Sequence, residues 1–436
     1  MLKTTFLTGE YPPMEGGIAD YTAHLIRHLA PLEVESSVLI GQRWQQTNQE
    51  VSDESIFETT PLAVTGRQPQ PHVFPSIPAW NWRCWPAVTH FLKTHRPNVL
   101  HIQYQAAAFE LGGWINWLPW YLRLRRFNTR VVTTFHDLRV PYILPKAGPL
   151  RWKSMLALAR HSDGIICTNR EDLQTLQQAL KIDQVIDFDP TTAQASLRSS
   201  NPSPLLTLIP LGSNVEPSPS SDFDRTAWRR RYRAGDQTFL LAYFGFLNES
   251  KGGEELIEAL ALLRQQGLDA KLLLIGGDVG HADPTNLAYA QRVQALIEQH
   301  HLTEVVHRTG YINLSDISAN LLAADVVVMP YRDGVSFRRT TLIAALRHGR
   351  PVVSTIPADP GLIPEIRPGE NMLLAHPQDA FALAEKIAPL ADDARLRQTL
   401  ATGAEALGYL FEWHKIAQET AALYRQVTRR DESKSI

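Results

Sequence analysis

The sequence predicts an α/β protein made of two consecutive doubly wound, Rossmann-like domains. Three observations predict it. Short apolar runs alternate with helical patterns in two successive cycles, and each cycle opens on a strand, a glycine-bearing loop and a helix. The chain of 436 residues is also too long for one ordinary core.

In the first cycle residues 4–7 read as a strand, and 19–29 as a helix with Tyr21, Leu25, Ile26 and Leu29 on one face. Further strands are expected at 37–40, 99–102, 130–134 and 164–167, with helices at 85–93 and 150–160. A polar stretch without periodicity, 189–204, closes this domain, set at residues 1–204. The second domain, 205–408, repeats the pattern. Its strands are expected at 239–244, 271–275, 305–309, 326–329 and 351–354, and its helices at 252–265, 287–299, 317–323 and 341–347. From residue 377 onward the pattern is helical, at 380–390, 394–407 and 411–427, before a charged tail.

Composition removes several function classes. With 44% hydrophobic and 20% charged residues the chain has an ordinary globular profile. Its 43 Lys plus Arg against 45 Asp plus Glu give no electrostatic basis for general nucleic-acid binding. Two distant cysteines, Cys84 and Cys167, form neither a disulfide framework nor a metal-ligand spacing, and Cys167 ends an apolar run as a core thiol. The opening residues read as a strand, not as a signal peptide, and no run reaches the roughly 18 apolar residues of a membrane span. The expected location is therefore the cytoplasm.

Four segments carry chemistry. The first loop, Gly9-Glu10-Tyr11-Pro12-Pro13-Met14-Glu15-Gly16-Gly17, puts two glycines before a helix, where open backbone and a positive helix end suit an anion. A tight structural turn explains the same pair. His136, in Thr133-Thr134-Phe135-His136-Asp137, follows a strand, the place where ligands of open α/β sheets bind. It suits a hydrogen bond to a sugar hydroxyl or to a phosphate, or a plain role in the loop. In the third segment, Gly245-Phe246-Leu247-Asn248-Glu249-Ser250-Lys251-Gly252-Gly253, a lysine sits where a helix begins, a placement that the helix dipole opposes unless an anion is bound. The fourth runs Asp333-Gly334-Val335-Ser336-Phe337-Arg338-Arg339-Thr340-Thr341 and crowds hydroxyls and two arginines at the start of an apolar helix, a phosphate-binding chemistry. Neither domain opens with the G-x-G-x-x-G of dinucleotide enzymes, which disfavours a nicotinamide dehydrogenase.

These segments, with Ile209-Pro210-Leu211-Gly212-Ser213-Asn214 and Gly310-Tyr311-Ile312 in order between them, resemble the family-4 glycosyltransferases (group 1 glycosyl transferases) of the GT-B fold. The ending Phe411-Glu412-Trp413 with Ile416, Ala417 and Tyr424 is similar to that family's last helix, so residues 409–436 are expected to cross back onto the first domain. The resemblance implies two domains facing a cleft, with the nucleotide sugar held by the second and a glycan, lipid-linked or small-molecule acceptor by the first, as in polysaccharide biosynthesis. It implies catalytic roles for His136, Lys251 and Asp333. The donor would be bound by Gly16, Gly17, Gly245, Asn248, Lys251, Ser336, Arg338, Arg339, Thr340 and Thr341. It also implies retention of anomeric configuration, no cofactor and no metal.

Two departures stand out. Phe246 occupies the place, five before Lys251, where many relatives carry an arginine. Ser336 and Ala344 fall where relatives carry a pair of glutamates. A subset of the family has the same Asp-Gly-x-Ser-x-Arg-Arg pattern, which implies a rearranged site with Asp333 at the sugar and Arg338 or Arg339 supplying the missing charge. The lost glutamates leave open a catalytically inactive nucleotide-sugar-binding protein, and the fold leaves open a nucleotide-sugar epimerase. Two D-x-D triplets, Asp187-Phe188-Asp189 and Asp222-Phe223-Asp224, lie in the irregular boundary region and are not expected to bind metal. Residues 114–126 hold Trp114, Trp117 and Trp120 followed by Arg123, Arg125 and Arg126, which suits either a helix packed on the first domain or peripheral contact with a membrane.

Overall fold

The computed structural model describes residues 1–14, 16–54, 71–138, 148–183, 185–186, 204–277 and 284–429. The chain divides into two units, one formed by Met1–Leu211 with Trp413–Ile436, the other by Gly212–Glu412.

The first unit is built on a parallel sheet of β1 (Leu2–Leu7), β2 (Val34–Gly41), β3 (His72–Ile77), β4 (Val99–Tyr104), β5 (Arg130–Phe135), β6 (Gly164–Cys167), β7 (Val185–Ile186) and β8 (Leu205–Leu208). Its order is β3-β2-β1-β4-β5-β6-β8-β7. β1 pairs with β2 on one side (Phe6 opposite Val38) and with β4 on the other (Phe6 opposite His101), so the winding reverses between β1 and β4. Ligands of such sheets collect outside the strand ends at that reversal. Every residue of β4 is buried, as expected of a parallel strand covered on both faces.

β8 belongs to this first sheet, pairing with β6 from Gly164–Leu205 to Cys167–Leu208. The boundary expected after residue 204 therefore moves to Leu211. The polar stretch from 189 lies, up to residue 203, outside the described residues, as does the Asp187-Phe188-Asp189 triplet. Asp224 of the second triplet caps the helix Arg225–Arg230, accepting the Ala227 N–H at 2.7 Å.

The helix Trp413–Arg429 packs on the first sheet. Trp413, Ile416, Ala417, Ala421, Tyr424 and Val427 recur at helical spacing and share a core with Phe6, Leu25, Val38, Val132 and Ile166. Cys84 and Cys167 are buried free thiols.

The second unit holds the parallel sheet β11-β10-β9-β12-β13-β14, from β9 (Phe239–Phe244), β10 (Ala270–Ile275), β11 (Val306–Arg308), β12 (Val326–Met329), β13 (Val352–Thr355) and β14 (Leu373–Ala375). Its winding reverses between β9 and β12, which pair through Val326–Leu241 and Val327–Ala242. The two sheets thus repeat one design, with a reversal beside the first strand of each.

Candidate functional site

In the second unit the site grows from the ends of β9 and β12. Gly245 continues β9 at φ +124°, a backbone that side-chain-bearing residues rarely adopt. A Cβ there would stand 3.0 Å from Lys251 Nζ and 3.2 Å from Thr341 Cγ2, so Gly245, Lys251 and Thr341 converge. Lys251 ends a 3-10 turn, Glu249–Lys251, and Gly252 at φ +69° starts the helix Gly253–Gln265. Only glycine fits at 252, because a Cβ would meet the Pro330 carbonyl oxygen at 1.9 Å. Asn248 accepts the Ser250 hydroxyl at 2.9 Å within the same loop.

A residue that the sequence reading passed over, Arg332, fixes this loop. Its N–H donates to the Ser250 carbonyl at 2.9 Å. Its guanidinium donates to Glu255 at 2.7 Å, Glu254 at 2.6 Å and Glu249 at 3.2 Å. That arginine is fully matched by carboxylates. Lys251 is not: its ammonium has no hydrogen-bond or ion-pair partner among the described residues, and burial, then the charge of Arg339, pulls it down to about 8.

Arg339 lies 4.9 Å over the Tyr331 ring and donates to both oxygens of Asp333, at 2.8 and 2.6 Å. Asp333 is therefore tied to Arg339, and the two act as one group. The helix Thr340–Arg347 begins without a side-chain cap and without an acid in its first turn, so its leading N–H groups keep their positive field. Ser336 Oγ accepts the Arg338 N–H at 3.3 Å in the turn before it. The two departures also find places. Phe246 lies with its ring 3.3 Å from where a Cβ on Gly277 would stand, and Ala344 is wholly buried in the helix interior.

The first unit presents different groups. Gly9, at the end of β1, is the glycine that packing demands there, since a Cβ would meet the Ala108 carbonyl oxygen at 1.8 Å. Gly16 leaves room for the Glu10 carboxylate, 2.1 Å from where its Cβ would stand, and burial raises that carboxyl. A Cβ on Gly17 would meet nothing within 4 Å, so the helix Gly17–Leu29 opens on free space. One turn on, the Tyr21 ring meets His136 edge-on at 4.8 Å. His136 Nε2 lies 2.8 Å from Gln103 Oε1, and burial lowers the imidazole to about 4, keeping it neutral. Asp137 accepts from Gln105 Nε2 at 3.0 Å.

In the segment 114–126, Ile115, Leu118 and Leu122 are buried, while Trp114, Trp117 and Trp120 stay 46%, 40% and 40% exposed. Arg123 pairs with Asp163 at 3.4 Å. No helix among the described residues is long and apolar enough to cross a membrane.

Two doubly wound parallel sheets, the second with a cationic, glycine-opened strand end, define the GT-B architecture. Residues 15–187 match the model described as Glycosyltransferase Family 4, and residues 238–393 the model described as Glycosyl transferases group 1. By these two models and its fold, the chain belongs to the family-4, group 1 glycosyltransferases of the GT-B class. It is 28% identical over 188 residues to the putative colanic acid biosynthesis glycosyltransferase WcaL of Salmonella typhimurium, covering 42% of this chain and 43% of that one. It is 30% identical over 210 residues to the D-inositol 3-phosphate glycosyltransferase of Pseudarthrobacter chlorophenolicus, covering 47% of each. The matches thus span about half the length of these relatives. Among solved structures, the sucrose-phosphate synthase of Thermosynechococcus elongatus shares the fold at a TM-score of 0.65 and 21% identity, over 99% of this chain and 100% of that one. HepE of Anabaena, solved in complex with UDP, does so at a TM-score of 0.65 and 18% identity, over 97% and 98%.

Proposed function

We propose that the protein transfers a sugar from a nucleotide sugar to a glycan, lipid-linked or small-molecule acceptor. The observation that carries this reading is the partly buried, unmatched Lys251 ammonium beside Arg339, Gly245 and the uncapped helix start at Thr340. A partly desolvated cation held against a second cation costs free energy unless an anion joins them, and a nucleoside diphosphate is an anion of that kind. As the sugar bond breaks, charge grows on the leaving diphosphate, where Lys251, Arg338, Arg339 and the N–H groups of Thr340 and Thr341 are assigned its stabilisation. In this reading side-chain cations do the neutralising that a metal performs elsewhere, and chelators leave turnover unchanged.

His136 is assigned to the transferring sugar. The Asp333–Arg339 pair stands in for the carboxylate and cation that family members place elsewhere. Retention of anomeric configuration rests on the family likeness, and the anomeric proton coupling of the product tests it. The acceptor belongs to the first unit, whose exposed Trp114, Trp117 and Trp120 favour peripheral contact with a membrane that carries a lipid-linked acceptor. The test of the whole reading is turnover of UDP-, GDP- and ADP-sugars. Release of the nucleotide with transfer or hydrolysis supports it, binding without turnover favours a sugar-nucleotide-binding protein, and a changed sugar still on its nucleotide favours an epimerase.

A further inference from the structure

On the sheet face covered by the helices Gly17–Leu29 and Trp413–Arg429, four wholly buried polar side chains form a chain that ends at His136. Tyr424 Oη lies 2.5 Å from His101 Nδ1, and His101 Nε2 lies 2.7 Å from Thr134 Oγ1. Two residues along β4, the Gln103 amide nitrogen lies 3.4 and 3.3 Å from the two His101 ring nitrogens, and its Oε1 lies 2.8 Å from His136 Nε2. His101, Gln103, Thr134 and Tyr424 show 0% exposure.

A carboxamide has one accepting and one donating end. With the donating end turned to His101, the oxygen faces His136 and has to receive a hydrogen, so His136 carries its proton on Nε2. Burial keeps the ring neutral, which leaves Nδ1 as a lone pair. Nδ1 has no partner among the described residues. A ring in that state accepts from a hydroxyl and cannot donate to a phosphate oxygen. The sequence left both roles open.

We infer that Gln103 is a positioning residue that holds His136 as the Nε2–H tautomer, so that Nδ1 accepts a hydrogen bond from a hydroxyl of the transferring sugar. This rests on the assignment of His136 to the transferring sugar proposed above. Tyr424 and His101 serve it by holding the amide, since turning Gln103 over would set its oxygen against the His101 ring, whose two nitrogens already meet Tyr424 and Thr134.

The test is a long-range 1H–15N correlation spectrum of the full chain labelled at histidine, with His136 identified by the signals lost in His136→Ala. The wild type is expected to show protonated Nε2 and bare Nδ1. Gln103→Met, similar in bulk but without the acceptor, is expected to mix the tautomers and to lower kcat/KM about tenfold with UDP-glucose and GDP-mannose as probes. Gln103→Glu, whose carboxyl can only accept when ionised, is expected to restore the Nε2–H pattern above the pH at which that carboxyl ionises. A wild-type ring protonated on Nδ1 overturns the inference, and so does an unchanged tautomer in Gln103→Met. If Gln103→Met does not fold, the wild-type spectrum decides alone. Full activity of His136→Ala removes His136 from the site and overturns the hydroxyl contact, while the spectrum still reports separately on the tautomer.

Discussion

At the ends of β9 and β12 a partly buried lysine and a carboxylate-bound arginine lie beside an uncapped helix start. At the ends of β1, β4 and β5, by contrast, the polar groups are a neutral imidazole, a carboxamide and a carboxyl raised by burial. The two sheets share winding and the position of their reversal, yet one end carries unspent positive charge and the other is set up to exchange neutral hydrogen bonds. The fold supplies two equivalent strand ends, and in the function proposed above the side chains divide the work, diphosphate to one and hydroxyls to the other.

The largest expected effect breaks that contrast at its cationic side. Lys251→Met should lower kcat/KM by about two to three orders of magnitude, the range for losing a preorganised donor at a developing anion. The melting temperature should stay level or rise, because an unmatched, partly desolvated charge is removed. Activity within threefold of wild type would dissolve the contrast. His136→Ala, on the neutral side, should cost roughly tenfold, the worth of about one neutral hydrogen bond, and should leave affinity for sugar-free UDP or GDP unchanged. A loss of nucleotide affinity there would mean that the neutral end also holds phosphate.

Much of this was legible in the sequence because it is local. β9 is a run of six buried residues, and the loops carrying Gly245, Lys251 and Arg339 follow strand ends directly. What stayed hidden is non-local or marginal. β3 contains Pro75 and sits at the sheet edge, the one place where a strand tolerates a missing N–H, so its pattern was broken. β7 and β14 have two and three residues, too few for periodicity. Gln103 finds His136 33 positions away and Arg332 finds Glu255 77 away, and no spacing rule along the chain links such pairs.

Smaller effects sharpen the comparison. Asp333→Ala and Arg339→Ala should each depress turnover, and the double variant should lose no more than the worse single one, since the pair acts together. Their coupling in stability should stay below about 1 kcal/mol because Asp333 is half exposed. Lys251 also gives a pH signature. Its ammonium titrates near 8 in the fold against an ordinary 10.5, so between those values the unfolded chain binds the extra proton and stability rises with pH. Thermal unfolding from pH 8 to 10, compared with Lys251→Met, should show that rise only in the wild type. The smallest effect concerns the exposed tryptophans. Trp117→Ala with Trp120→Ala should reduce co-flotation with anionic phosphatidylglycerol vesicles several-fold and leave soluble activity intact.

The central claim is that the end of β9 is a diphosphate site, and thermal unfolding with UDP, GDP and ADP tests it most directly. At least one of the three should raise the wild-type melting temperature, with about 2.7 kcal/mol of stabilisation at a hundredfold excess over Kd, and should fail to do so in Lys251→Met. No shift with any of them, or an equal shift in the variant, would contradict the account.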